Sequence, residues 1–356
     1  MRVPAAERLI RATFKSVPED FVVEELPAYE PSGAGEHVYV RFEKRGLNTH
    51  DAVARLARAL GVHARDAGVA GQKDRQAVTT QTVSFFGTTP EAVLALAPIH
   101  GVRVLSAARH GNKLKPGHLR GNRFRIRLRD VSAIELQKVE PAFAAIARDG
   151  VPNAFGAQRF GRGKDNAERA LAFLRGEERP PRDKRQRAFL FSALQSKVFN
   201  RVLERRVQDG TWCRALEGDL LKKHDSGGLF VCTDVQTDAA RAERGEVSPT
   251  GPMFGLEMRE PEGAVRALEH EVLHEVVGDL DLAATRGLGD GTRRVLRLWV
   301  ESVVVRTREQ EESCEVEFVL PKGAFATTVL GQVFELVEGS TSTSGEGDGA
   351  EDSDGG

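Results

Sequence analysis

Asp74 stands between two cations in Gly71-Gln72-Lys73-Asp74-Arg75-Gln76-Ala77-Val78-Thr79-Thr80-Gln81, just ahead of a strand-like run. Lys73 and Arg75 favour the ionised form of the acid and would display it beside a polyanion. An ionised Asp can serve as nucleophile or base without a metal. A single Asp in a Lys-Asp-Arg turn is ordinarily a solvated turn residue, and it becomes a site only in a cleft.

A second arrangement is His270-Glu271-Val272-Leu273-His274, which meets the H-E-x-x-H pattern in full. Two imidazoles one helical turn apart can share a zinc ion, with the Glu as general base. A third ligand would have to come from elsewhere, and no His follows His274. A five-residue pattern of this kind also arises by chance in a Glu-rich helix. The three cysteines, Cys213, Cys232 and Cys314, are isolated thiols without ligand spacing. They read as reduced, with neither disulfide framework nor metal site expected.

Two basic segments suit a phosphate backbone. Phe155-Gly156-Ala157-Gln158-Arg159-Phe160-Gly161-Arg162-Gly163-Lys164 interleaves aromatic residues with Arg and Gly. It fails the G-x-G-x-x-G pattern at Asn166, and no P-loop occurs anywhere in the chain. Phosphate contact and base stacking on nucleic acid fit it better, with a structured turn as the plain alternative. From Gly101 to Arg129 there are nine Lys/Arg and no acid. Removing the five acids of Gly339–Gly356 from a net charge of −1 leaves +4 for the rest. A one-sided basic surface binds nucleic acid with steep salt dependence.

These residues must be positioned by a folded scaffold. The 356 residues suggest two domains. At 40% hydrophobic and 29% charged, the chain is an ordinary globular composition. No apolar run approaches the ~18 residues of a membrane span, and Met1–Lys15 lacks a signal-peptide apolar region. A cytoplasmic protein is expected.

Alternation predicts strands over Phe14–Glu25 and His37–Phe42, joined by the polar turn Pro31–Gly35. A helix is predicted over Thr49–Leu60, with Val53, Leu56, Ala57 and Leu60 on one face and Gly61 as its stop. The Asp74 loop follows, then a strand through Val78–Phe86 and a short helix at Pro90–Leu96. Gly121–Arg129 is the cleanest strand. Phe124, Ile126 and Leu128 point one way, and Arg123, Arg125, Arg127 and Arg129 the other. Ser132–Arg148 reads as a helix opened by a capping box with Glu135. Further helices are expected at Asn166–Leu174 and Leu190–Gln208. Strands are expected near Leu229–Thr233, Val295–Val305 and Val316–Leu320, and a last helix at Phe325–Leu336. Beyond Glu338 the composition cannot support a core and predicts disorder.

Five ordered segments resemble the TruD-type tRNA pseudouridine synthases. Pro18-Glu19-Asp20-Phe21-Val22-Val23-Glu24-Glu25 resembles the N-terminal signature. Gly71-Gln72-Lys73-Asp74-Arg75, with Ala77, Thr79 and Gln81, resembles the catalytic motif. Gly121-Asn122-Arg123-Phe124 is a third match. Asn153-Ala154-Phe155-Gly156-Ala157-Gln158-Arg159-Phe160-Gly161 resembles the opening of the inserted domain, and Leu320-Pro321-Lys322-Gly323-Ala324-Phe325-Ala326-Thr327 the C-terminal pocket motif. The chain departs from the family where Ala154 replaces an aromatic, and where the Arg near Gly331 is absent.

The resemblance implies an α+β fold. A pseudouridine-synthase catalytic domain with a mixed sheet (residues 1–152 and 297–338) would carry an inserted α/β domain (153–296), with an acidic tail at 339–356. It implies Asp74 as the catalytic residue, Phe21, Asn122 and Phe325 at the uridine pocket, and Phe124 stacking on the target base. Lys73 and Arg75 would support Asp74. The expected substrate is tRNA, with uridine 13 isomerised by a monomer that needs no metal, cofactor, membrane or protein partner. The domain junction would be its seat. A non-catalytic RNA-binding protein with Asp74 as a turn residue is the alternative, and a metal hydrolase built on His270 and His274 is a second.

Overall fold

The computed structural model describes residues 9–161, 163 and 165–339. The predicted tail beyond residue 339 lies outside the described residues. The chain divides into two compact units. One contains Arg11–Ser132 and Arg306–Val316, and the other Ala133–Val305 and Glu317–Glu335.

The first unit opens with β1 (Ile10–Phe14), a single 3-10 turn at Pro18–Asp20, and β2 (Phe21–Pro27). The single strand expected over Phe14–Glu25 is therefore broken. Lys15 adopts φ +58°, and Pro18, which has no N–H to donate, opens the turn. β3 (His37–Arg45) leads into α1 (Thr49–Leu60). Asn48 Oδ1 accepts from Asp51 N at 2.8 Å to start this helix, and Gly61 ends it at φ +69°. After β4 (Gly68–Val69) and the Asp74 loop come β5 (Val78–Phe86), α2 (Pro90–Leu94), β6 (Val102–His110) and β7 (Leu119–Leu128).

β2 and β3 are not the adjacent hairpin that their connecting turn suggested. β5 lies between them, parallel to β2 and antiparallel to β3. β7 flanks β2 and β6 flanks β3, both antiparallel, so the sheet is mixed. The inward side chains Val38, Val40, Phe42, Val83 and Phe85 pack under Ala52, Val53, Leu56 and Ala57 of α1. This is the period-2 face of a sheet meeting the period-3.6 face of a helix.

The second unit holds α3 (Ala133–Asp149), β8 (Val151–Pro152), α4 (Asn166–Leu174), α5 (Lys184–Gln208), β9 (Leu220–Lys223) and β10 (Leu229–Val231). α6 (Val235–Glu243), β11 (Val247–Met253), α7 (Gly263–Val277), β12 (Thr292–Val295) and β13 (Arg297–Leu298) follow. An antiparallel sheet runs in the order β10-β9-β11-β12. Its core gathers Leu190, Phe191, Leu194 and Val198 of α5 with Phe254 and Val272. Two fully buried ion pairs tie it together, Arg206–Asp219 at 2.9 Å and Arg293–Glu269 at 2.6 Å. Cys232 and Cys314 are free and buried, and burial pushes both thiols up to about 12.

The described residues close with β14 (Glu301–Arg308), β15 (Ser313–Pro321), α8 (Ala326–Leu330) and β16 (Phe334–Glu338). The helix expected over Phe325–Leu336 stops after one turn. Beyond Gly331, Val333 and Phe334 bury and the segment pairs as a strand with β1. β-branched and aromatic residues favour a pleated, half-buried surface of this kind. The outer strands β14 and β15 extend the mixed sheet past β7.

A candidate active site on one face of the mixed sheet

Strand register decides which side chains share the face. Phe21 stands opposite Ile126, Val23 opposite Phe124 and Glu25 opposite Asn122. Val23 also neighbours Thr79, while Lys44 stands opposite Thr79 and Phe42 opposite Gln81. Phe21, Asn122 and Phe124, three of the residues singled out from sequence, therefore meet on one surface with polar groups from β3 and β5. Phe21 and Phe124 meet edge to face, ring centroids 6.2 Å apart.

The Asp74 loop is anchored onto this face at several points. Lys73 N donates to Thr49 Oγ1 at 2.8 Å, and Thr49 donates on to Gln81 Oε1 at 3.1 Å. Lys73 Nζ reaches Glu25 Oε2 at 2.6 Å, and both side chains are buried. Thr82 N donates to the other carboxylate oxygen of Glu25 at 3.2 Å. Arg75 Nε donates to the Gly46 carbonyl at 3.3 Å. These bonds fix the backbone on either side of Asp74 and leave its carboxylate 61% exposed.

The cation touching that carboxylate is Lys15, not Lys73 or Arg75. Lys15 Nζ stands 3.2 Å from Asp74 Oδ2 and 4.6 Å from the Phe21 ring centroid. Lys15 adopts φ +58° in the turn between β1 and β2. A non-glycine residue in the left-handed region is strained, and such strain gathers at functional sites. Lys73 is spent on Glu25 and Arg75 on a carbonyl, so the two flanking cations hold the loop.

Lys44 is the other residue unforeseen from sequence. Its ammonium is buried and donates to Leu47 O at 2.7 Å and Asp74 O at 2.6 Å. Burial lowers its pKa to about 8, with the Asp74 charge opposing and Lys73 adding to the shift. The folded state thus holds this proton less tightly than the unfolded chain. The stability cost of charging Lys44 is present below about pH 8 and is relieved as pH rises from there toward 10.5. We expect a 13Cε-lysine NMR titration to show one resonance with a midpoint near pH 8, absent in Lys44→Arg. A spectrum in which every lysine titrates above pH 10 would contradict the burial of this charge.

The same face carries three buried polar atoms with no hydrogen-bond partner among the described residues: Asn122 Oδ1, Thr79 Oγ1 and Gln81 Nε2. Buried polar groups are satisfied in most folds, and an orphan on a sheet face is met by an ordered water, an ion or a ligand. Phe325 lies in the other unit, at the N-cap of α8, and the residue is 46% exposed.

The remaining sequence candidates are dispersed. Of the four alternating arginines of Gly121–Arg129, Arg123 pairs with Glu24 at 2.8 Å, Arg127 with Glu311 at 3.9 Å and Arg129 with Asp20 at 2.7 Å. The open row of guanidiniums expected there is thus largely paired with acids of neighbouring elements. His270 and His274 each bond a separate acid, Glu260 at 3.0 Å and Asp279 at 3.2 Å. Among the described residues no group of three His, Cys, Asp or Glu gathers to hold a metal. No helix among the described residues is long and apolar enough to cross a membrane.

The family model described as tRNA pseudouridine synthase D (TruD) matches residues 5–177 and 182–333. A curated relative named tRNA pseudouridine synthase D from Anaeromyxobacter sp. (strain Fw109-5) is 47% identical over 324 residues, covering 89% of this chain and 91% of the relative. One of the same name from Geobacter sulfurreducens is 39% identical over 387 residues, covering 90% and 93%. A solved TruD-titled structure from Methanosarcina mazei superposes with a TM-score of 0.76 at 24% identity, covering 94% of this chain and 96% of that one.

Proposed function

Given that the chain belongs to the tRNA pseudouridine synthase D family, and as such isomerises uridine to pseudouridine in tRNA, we propose that Asp74 performs the chemistry and that the target is uridine 13. The observation that carries this reading is the accessible Asp74 carboxylate, held 3.2 Å from Lys15 on a loop bonded to the sheet face.

The isomerisation breaks the N1–C1′ bond, turns the uracil and joins C5 to C1′. The proton displaced from C5 is lost and N1 gains one, so the nucleotide keeps its atoms. Asp74 acts at the ribose, as nucleophile at C1′ or base at C2′. Lys15 holds its carboxylate in place, and Lys44 and Lys73 hold the loop. A target base must leave its stack to be reached. Asn122 is suited to the uracil edge, because its orphaned Oδ1 can accept from an imide N–H. Phe124 and Phe21 supply an aromatic wall, and stacking contributes ~1–3 kcal/mol per base. Phe325, at an exposed helix cap, is proposed as a further pocket residue.

We assign residues 1–152 and 297–338 to the catalytic domain and 153–296 to an inserted tRNA-binding domain. We propose a monomer, and a tRNA substrate supports a cytoplasmic location. Incubating the protein with unmodified tRNA and mapping pseudouridine by carbodiimide-stop primer extension should give a stop at uridine 13. A stop at another uridine would move the target while keeping the chemistry. Tight, salt-sensitive tRNA binding with no stop anywhere would favour a non-catalytic RNA-binding protein.

A further inference from the structure

The buried and half-buried arginines of the second unit are neutralised in different ways. Arg206 and Arg293 each fork onto a buried carboxylate. Arg297 donates to the carbonyls of Ala242 and Arg148, in the last turns of α6 and α3, where the helix dipoles are negative. Arg159 and Arg294 have neither arrangement. Their guanidinium carbons flank one ring, Phe155, at 5.5 and 4.1 Å from its centroid.

Arg294 donates to Asn153 Oδ1 at 2.6 Å, and its Nε is buried with no acceptor. Arg159 donates from Nε to Ser196 Oγ at 3.2 Å. Among the described residues neither has a carboxylate within ion-pair distance. Two like charges held around one ring, half out of water, repel each other unless an anion joins them. Burial lowers the pKa of both, and the charge of Arg159 adds to the lowering at Arg294. Neutral partners, Asn153 and Ser196, orient the two forks without cancelling them. Guanidinium forks suit phosphate oxygens, as they suit carboxylates, because two parallel N–H bonds fit them.

We propose that Arg159 and Arg294, braced on Phe155, form a clamp for one backbone phosphate of the tRNA. The proposal rests on the tRNA reading above but not on the identity of the catalytic residue. It is tested on the full chain by tRNA affinity against salt concentration for wild type, Arg159→Gln and Arg294→Gln. Each substitution should weaken tRNA binding about 10-fold and reduce the salt slope by about one. Each should also leave the melting temperature unchanged or raised, because a repulsion has been removed.

Unchanged affinity and salt slope in both variants, with melting temperature intact, would overturn the clamp. So would a fall in melting temperature with an unchanged slope, which marks a purely structural pair. Inorganic phosphate separates the two sources of the anion. If it raises the wild-type melting temperature but not that of Arg294→Gln, while tRNA affinity is equal in both, the occupant is a free anion and the tRNA assignment fails. Loss of pseudouridine formation by the wild type would defeat the enzymatic reading alone, since the salt slope is measured independently of turnover.

Discussion

Asp74→Asn lowers pseudouridine formation by at least about 10³-fold, while tRNA binding stays within about twofold of wild type. The carboxylate is exposed and pairs with Lys15, while the other anchors of its loop do not use it. Lys44 bonds the Asp74 backbone carbonyl, and Lys73 the Glu25 side chain, and neither bond needs the acid itself. Asparagine is isosteric but uncharged. It can neither attack C1′ nor take a proton from C2′, and removing a group that acts on the reacting atoms costs a factor of this order. Single-turnover assays with excess protein measure the chemical step, and filter binding measures affinity. Turnover within tenfold of wild type would remove Asp74 from the mechanism.

The second large effect concerns stability. Lys73→Met leaves the Glu25 carboxylate buried and unpaired, since its side chain is only 3% exposed. Breaking one side of a buried ion pair typically costs about 3–5 kcal/mol, whereas replacing both partners with apolar residues costs far less. The denaturation midpoint should therefore fall sharply in Lys73→Met and recover in large part in the double variant Glu25→Leu, Lys73→Met. Activity should not return with it, because Lys73 Nζ is one of the bonds that fix the chain entering Asp74. A Lys73→Met protein as stable as wild type would mean that water or another donor meets the Glu25 carboxylate in place of Lys73.

Periodicity made much of this scaffold legible. Thr49–Leu60 and Val78–Phe86 form over the predicted residues. The inward set Phe124, Ile126 and Leu128 is buried as their alternation demands. The place of β5 between β2 and β3 was not legible, because a parallel pairing leaves no turn signature between its strands. Arg123, Arg127 and Arg129 looked like an open basic face for a related reason, as their acids arrive from distant segments.

Within the candidate site, the Asp74 loop stood out by its motif, and the cation beside its carboxylate did not. Lys15 reaches the carboxylate through a left-handed backbone that no residue type at that position announces. Lys44 did leave a signal. Continuing the alternation of Val38, Val40 and Phe42 puts position 44 on the inward face, where a lysine is out of place unless its head has a task.

β1 takes its partner from the far end of the chain. It pairs with β16, and Gly339 N donates to Phe14 O at 2.9 Å, one residue before Lys15. On a translating ribosome, the Asp74 loop, its Glu25 anchor and the aromatic wall all emerge long before that strand. A nascent chain can therefore assemble the bulk of the catalytic face while the bend that delivers the counter-ion still lacks its clasp. The clasp beside the bend that carries Lys15 is thus drawn from the return segment, far downstream of the loop whose acid that lysine meets.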